Sequence, residues 1–282
     1  MMSLLRNIIL IGIVTTWWGS EAAFGQAFPA RKSEGDITCA TKNTSFKGGE
    51  HVEFKVYYNW GFVWLSAGKV EFDVMETEDA YKIVATGRSY PSYEWFFKVR
   101  DYYETIIDKE TMLPRSFKRK INEGDYHVEE TIIYDQMGYQ VHSTFINSNG
   151  NQKSQIFDVD GCVQDILSTI YRLRNVDVGV LQRERVIPFR IFLEDGSYPL
   201  NIFYRGEETR DLYDLGRYKA LRITPQLLSG NVFKEGDEMF VSVTDDLNRL
   251  PIYIESPVSV GSVKVYLTAY RNLRYPLDSK TD

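Results

Sequence analysis

Residues 51–58 read HVEFKVYY, from His51 to Tyr58. Apolar side chains stand at its even positions, and mostly polar ones stand at its odd positions. The alternation continues to Trp60. A period of two is the pattern of a β-strand that buries one face, so the stretch predicts a half-buried strand.

The same alternation recurs along most of the chain. The further predicted strands cover residues 70–75, 81–85, 102–107, 116–121, 126–134, 139–145, 189–193, 198–204, 218–223, 238–243, 250–255 and 263–269. Turn-forming residues separate them, most clearly at Asp195-Gly196 and at Asp245 to Asn248. Residues 91–97 break the rhythm and are interpreted as a short helix or a packed loop. The pattern predicts a mainly β protein, built from antiparallel curved sheets as a sandwich or an incomplete barrel.

One segment, at about residues 162–175, has a helical period instead. Its apolar residues fall on one face, and Asp160 is positioned to cap its start. Arg172 and Arg174 suit the negative end of a helix dipole. The sequence therefore predicts one central amphipathic helix, with the β-rich domain either continuous or split into two lobes near residue 160.

Residues 1–25 are interpreted as a signal peptide. Arg6 precedes an apolar stretch of 11 residues, Ile8 to Trp18, which is too short to span a membrane. Small residues then favour cleavage before Gln26, with cleavage after Ala27 as the alternative and an uncleaved anchor as a further one. The prediction is an exported, periplasmic protein with a polar arm at 26–46, a β domain at 47–276 and a polar tail at 277–282.

Charge excludes several classes of partner. The net charge is −6, and it stays −6 without residues 1–25 because that segment holds one base, Arg6, and one acid, Glu21. An acidic chain without a basic patch is a poor match for nucleic acid or for an anionic membrane surface. No later apolar stretch has the length of a transmembrane helix, so an integral membrane protein is not expected.

The chain has two cysteines, Cys39 and Cys162. In an oxidising compartment two thiols most simply form a disulfide, and two buried free thiols are the alternative. Closing a loop of about 120 residues would stabilise the fold by roughly 4–5 kcal/mol in the loop-entropy estimate. The pairing would join the N-terminal arm to the start of the central helix.

No set of residues in the sequence indicates catalysis. His51, His127 and His142 each lie in a strand pattern without a second histidine at ligand spacing, so structural or surface roles are expected. Asp245 and Asp246 are adjacent, and turn capping explains them better than a shared ligand does. We therefore predict a protein that is not an enzyme and has no cofactor and no metal.

Two clusters of aromatic residues are the most distinctive local feature. One follows the first strand and the other lies between Tyr90 and Tyr103. Such rings either form a concave ligand-binding surface or fill a large core, and the sequence leaves both open. On the first interpretation, the predicted ligand-binding residues are Tyr58, Trp60, Trp64, Trp95 and Phe97.

Several motifs resemble one family in order. They are G-E-x-V-x-F-x-V-Y-Y-N-W-G from Gly49, D-I-L-S-x-x-Y-x-x-R-N from Asp165, Y-x-G-E from Tyr204, D-D-x-N-x-x-P-I from Asp245, and G-S-V-K from Gly261. Over about residues 39–276 the chain resembles the DUF3108 family, in the form found in Bacteroidetes-type Gram-negative bacteria. The resemblance implies an exported, uncharacterised protein and carries no catalytic residues. The ending is also loosely similar to half-barrel lipoprotein carriers of the periplasm.

These observations favour a non-enzymatic binding or carrier module for an apolar or amphipathic envelope molecule. The first alternative is a structural or interaction protein of the cell envelope, with a protein partner and no small-molecule ligand. The second alternative is an outer-membrane barrel, which the interposed helix and the polar ending disfavour.

Overall fold

The computed structural model describes residues 39–60, 63–95, 97–193, 196–226, 238–258 and 261–281. The predicted signal peptide and most of the predicted arm therefore lie outside the described residues. The strands are β1 (His51–Trp60), β2 (Val63–Glu76), β3 (Ala80–Ser89), β4 (Arg100–Asp108), β5 (Pro114–Glu123), β6 (Tyr126–Asp135), β7 (Gln140–Ile146), β8 (Gln152–Asp158), β9 (Val186–Leu193), β10 (Gly196–Leu212), β11 (Gly216–Pro225), β12 (Phe240–Thr244), β13 (Pro251–Pro257) and β14 (Ser262–Arg271). The helices are α1 (Pro91–Glu94), α2 (Ile166–Leu173) and α3 (Val178–Glu184).

All 14 strands form one antiparallel sheet, which confirms the mainly β prediction. The strand order is β8-β7-β6-β5-β4-β3-β2-β1-β14-β13-β12-β11-β10-β9. The chain makes one meander outward from β1 to β8 and another inward from β9 to β14, and the pairing of β1 with β14 joins the two. The strands before and after residue 160 therefore share one sheet and one continuous core.

The two edge strands, β8 and β9, follow each other in sequence but do not pair over the described residues. The connecting segment fills part of the gap. Gln164 donates its backbone N–H to Arg190 O at 2.8 Å and accepts from the Phe192 N–H at 2.8 Å, so it extends the edge of β9. The rings of Phe157 and Phe192 meet at 5.2 Å. The sheet is thus curled, but its two edge strands do not pair over the described residues, and it does not form a closed barrel.

The predicted helix is real, but its bounds were wrong. Asp165, not Asp160, is the N-cap, because its carboxylate accepts from the Ser168 backbone N–H at 2.8 Å and the Ser168 hydroxyl bonds the Asp165 backbone N–H at 2.9 Å. Residues 162–165 are extended instead of helical, because Gln164 is hydrogen-bonded to β9. Sequence reasoning also missed α3, which Asp177 caps, and the edge strand β8.

The end of the predicted polar arm is packed into the core. Ser45 and Phe46 are fully buried, and the Phe46 ring makes edge contacts with Tyr81 at 5.0 Å and Tyr171 at 4.8 Å. Cys39 and Cys162 form the predicted disulfide, with 5.3 Å between their Cα atoms. It fixes the segment before β1 to the segment that leads into α2. None of the helices in the described ranges is long and apolar enough to cross a membrane.

Replacement of both cysteines, Cys39→Ser with Cys162→Ser, should lower the free energy of unfolding by about 4–5 kcal/mol, because the bond closes a loop with a sequence separation of 123. Urea unfolding followed by circular dichroism measures the difference. Reductant should shift the wild-type midpoint and leave the double variant unchanged. Equal midpoints for reduced and oxidised wild type would contradict the prediction.

Candidate functional site

The inner face of the sheet contains an apolar cavity of about 190 Å³. It lies between α2 and the half of the sheet formed by β9 to β14 together with β1 and β2. Aliphatic side chains dominate its wall, including Val52, Ile170, Ile202, Val241 and Val265. An apolar cavity of about 150 Å³ can take a molecule such as benzene, so this cavity has room for a small hydrocarbon group.

Helix α2 forms one wall of the cavity because both of its ends are fixed. At the N-terminal end, the Thr105 hydroxyl of β4 donates to Asp165 at 2.6 Å. Ile166, Thr169 and Ile170 then line the cavity. Six of the eight residues of α2 are buried, which is why its sequence lacks the broad polar face of a surface helix.

At the C-terminal end of α2, Arg174 forms a buried ion pair with Glu50. Two guanidinium nitrogens donate to the two Glu50 carboxylate oxygens at 2.5 and 2.9 Å, and Nε donates to Asn248 O at 3.0 Å. The rings of Phe46 and Tyr171 flank the guanidinium at 5.5 and 5.0 Å. This bidentate pair ties the end of the helix to the residue that precedes β1 and to the turn after β12.

The five aromatic residues predicted as a ligand surface are not brought together around this cavity. Tyr58 is buried in the core, and Phe97 is half-buried beside Gly124. Trp64 is 41% exposed under the Lys264 ammonium at 4.4 Å, and Trp95 is 83% exposed.

The fifth residue, Trp60, is the last residue of β1, and its side chain lies outside the part that the structure describes. The four described side chains do not line the cavity. A binding surface at the exposed Trp64 and Trp95 stays a prediction, separate from the cavity.

The other half of the curled sheet has buried polar groups among its apolar core residues. Arg119 of β5 lies 2.7 Å from the Glu130 carboxylate of β6, and both side chains are almost fully buried. Nearby, Asp101 and Glu123 are also buried and share a hydrogen bond. Burial raises the pKa of Asp101 to about 7, against the lowering effect of hydrogen bonds from the Asn122 backbone N–H and with Glu123. The Asp101 carboxyl is therefore partly protonated near neutral pH.

The histidine with a defined environment is His51, on the outer face of β1. Its Nδ1 lies 2.7 Å from Asp73 and its Nε2 lies 3.1 Å from Glu53. Burial would lower its pKa, but these hydrogen bonds outweigh burial and raise it.

His51, Glu53 and Glu71 offer ligand atoms within 4.8 Å of one another, which suits a metal ion. The Lys69 ammonium, however, lies 2.7 Å from Glu71 and 3.7 Å from Glu53, and it already supplies the positive charge there. The arrangement is explained as a surface ion-pair network.

Sequence reasoning missed the cavity because its wall is made of ordinary core residues. Val52, Phe54, Val263 and Val265 are alternating strand positions, and nothing in the alternation distinguishes a side chain that packs from one that borders a space. The buried carboxyls were missed for a related reason. Asp101 and Glu123 stand at positions of β4 and β5 whose side chains point into the core. A charged residue at such a position was the signal that could have identified them.

The fold and cavity together define a class of protein: a mainly β protein whose single curled, unclosed sheet encloses a helix and an apolar cavity. A sequence model of the family described as "Protein of unknown function (DUF3108)" matches residues 53–268. The chain therefore belongs to the DUF3108 family, and the predicted resemblance is confirmed.

The solved structures with a similar fold include the crystal structure of a β-barrel-like protein of domain of unknown function DUF1849 from Brucella abortus. The TM-score is 0.53, over 81% of this chain and 99% of that one, at 9% sequence identity. At this identity the likeness concerns the fold alone. No curated protein sequence matches the chain.

Glu50→Gln should lower the free energy of unfolding by about 3–5 kcal/mol, because it leaves the buried Arg174 without a counter-charge. Urea titration gives the value. The matched control is Glu129→Gln, which breaks the exposed pair with Lys120 and should cost less than about 1 kcal/mol. A loss for Glu50→Gln no larger than the control's would show that the pair does not hold α2.

Asp101→Asn should flatten the pH dependence of stability between about pH 4 and 7. The folded protein keeps a proton that the unfolded chain releases above its ordinary pKa of 3.8, so wild-type stability falls as pH rises toward the folded pKa of about 7. The decrease in the free energy of unfolding that this group causes is at most about 4 kcal/mol. Urea titrations at stepped pH measure it. The control, Asp160→Asn at an exposed position, should keep the wild-type slope of unfolding free energy against pH. If Asp101→Asn also kept that slope, the prediction would be wrong.

Proposed function

We propose that this protein is a non-enzymatic binding or carrier module that holds an apolar or amphipathic molecule in the cavity beside α2. The observation that supports the proposal most directly is the composition of the cavity wall, which is apolar over almost its whole extent. A concave apolar space with few polar groups is typical of sites that take hydrocarbon ligands. The cavity, and not the aromatic surface, is the binding site in this proposal.

A packed core would normally fill such a space. Protein interiors reach the density of organic crystals, and an unfilled cavity lowers stability by roughly 24 cal/mol per Å³. The inner face of this sheet keeps the space open along several strands and a fixed helix. A bound apolar molecule would restore the lost contacts, which gives the cavity a functional reason to exist.

The chemistry of the wall favours binding over catalysis. Its polar side chains are Thr169, Tyr171, Arg174, Arg249 and Ser256. Thr169 donates to Asp165 O at 2.7 Å, and Arg174 is paired with Glu50, so neither is placed as an acid, a base or a nucleophile. The wall also contains no His, Cys, Asp or Glu among its described residues.

We further propose that the protein acts outside the cytoplasm, in the periplasm or cell envelope. The support is the signal-peptide pattern of residues 1–25 together with the Cys39–Cys162 disulfide, a bond that persists in oxidising compartments. An envelope location would give an apolar binding module access to lipid-like molecules.

A second candidate function is an interaction protein of the envelope. The specific observation is β8, an edge strand in which every residue except Phe157 is exposed. A free strand edge can pair with a strand from another protein. Crosslinking in cells that captured one stoichiometric partner at β8, with no ligand in the cavity, would favour this candidate.

A neutral fluorescent probe, N-phenyl-1-naphthylamine, tests the binding proposal. The purified protein should bind it saturably, and Val241→Phe and Val265→Phe should each weaken binding by about tenfold, because an added ring occupies the cavity. Both positions are only half-buried, so the rings can be accommodated without unfolding the chain.

Trp64→Ala and Trp95→Ala serve as controls and should bind the probe as the wild type does, since neither ring lines the cavity. Circular dichroism establishes that all four variants are folded. Absence of saturable binding by the wild type, or loss of binding only in the tryptophan variants, would reject the cavity as the site.

A further inference from the structure

Arg249 is a cavity residue whose backbone conformation is costly for a side chain of its type. It lies in the turn between β12 and β13 with a φ of 47°, in the left-handed region that glycine or asparagine adopts more readily. The residue is half-buried and lines the cavity. An arginine held in such a conformation at a cavity wall suggests that its guanidinium is needed there.

The hydrogen bonds of this guanidinium are few and long. Nε donates to Asp246 O at 3.4 Å, and one terminal nitrogen donates to Val176 O at 3.3 Å. Within the part of the chain that the structure describes, it has no ion pair with a carboxylate within 4.0 Å. Arg174, on the same wall, has its donors matched by Glu50 and two backbone carbonyls. A guanidinium has five N–H groups, so Arg249 retains donors for a ligand.

The charges around Arg249 decide what kind of acceptor it suits. Asp177, Asp245 and Asp246 all lie close enough to raise its pKa, although burial has the larger effect and lowers it. The Asp246 carboxylate is already occupied, because it accepts from Thr244, Ser279 and the Asn248 N–H. Three negative charges beside one positive charge disfavour a further anion. A neutral oxygen acceptor avoids that repulsion.

We propose that the cavity binds an acyl chain joined through a neutral carbonyl, as in an ester or amide, with the carbonyl oxygen accepting a hydrogen bond from Arg249. The apolar wall holds the hydrocarbon chain. The inference rests on the proposed function and adds the polar end of the ligand to it. Free fatty acids, which carry a carboxylate, are the weaker ligands.

Displacement of N-phenyl-1-naphthylamine by three compounds of equal chain length tests the assignment. They are 1-lauroylglycerol, which has an ester carbonyl; 1-O-dodecylglycerol, which has the same head group without the carbonyl; and laurate, which is an anion at pH 8. The ester should bind about tenfold more tightly than the ether, the effect of one hydrogen bond to a charged donor. It should also bind more tightly than laurate.

Arg249→Leu should abolish the difference between ester and ether binding, because it removes the proposed hydrogen-bond donor. Arg183→Leu is the matched control, because Arg183 is exposed and is not part of the cavity wall, and it should keep the wild-type difference. If Arg249→Leu does not fold, Arg249→Gly, which suits the φ of 47°, takes its place and should likewise lose the difference between ester and ether binding.

The outcomes separate this inference from the proposed function. Equal binding of ester and ether by the wild type, or tighter binding of laurate than of the ester, overturns the role of Arg249 and leaves the apolar cavity as a binding site. Failure of the probe itself to bind overturns both. A tenfold ester preference that persists in Arg249→Leu assigns the carbonyl to another group and rejects the inference.

Discussion

The structure depends on the buried ion pair between Arg174 and Glu50. It fixes the end of α2 to the residue before β1, while Asp165 and Thr105 fix the start of the same helix to β4. With both ends held, the helix cannot settle onto the opposite strands and fill the space between them. A buried pair of this kind adds little net stability relative to apolar side chains, but it specifies position. Here the position of one helix determines whether the inner face of the sheet is packed or hollow.

The two halves of the curled sheet use their interiors differently. Beside β4 to β7 the interior combines apolar side chains with buried polar groups, Arg119 against Glu130 and Asp101 against Glu123. Beside β10 to β14 it is aliphatic and partly empty. Buried polar groups require fixed partners, so the first half is rigid by its chemistry. Apolar walls impose no such geometry, which suits the second half to the binding role proposed for it.

Sequence analysis identified the fold class, the disulfide and the family, because each has a signal in residue type or spacing. The alternation along residues 51–58 can be read without knowing any distant contact. With two cysteines in the chain, one intramolecular disulfide is possible. The bounds of α2 were wrong because Asp160 and Asp165 are both acceptable caps, and the hydrogen bond of Gln164 to β9 chooses between them. The cavity was not predictable, since Val241 or Val265 reads as an ordinary core residue until its neighbours are placed. The aromatic residues drew attention by their type, whereas Tyr58 is a core residue and Trp95 is exposed.

The pairing of β1 with β14 has a consequence for how the chain acquires its shape. Every other pair of neighbouring strands is adjacent in sequence, so each meander forms from local contacts, whereas His51 meets Arg271 across most of the polypeptide. During synthesis β1 is made early, and the edge that faces away from β2 has no partner strand until β14 has been made. An unpaired edge beside an apolar face invites wrong pairing. The centre of the finished sheet is therefore the part of this molecule with the greatest need of protection while it is being made.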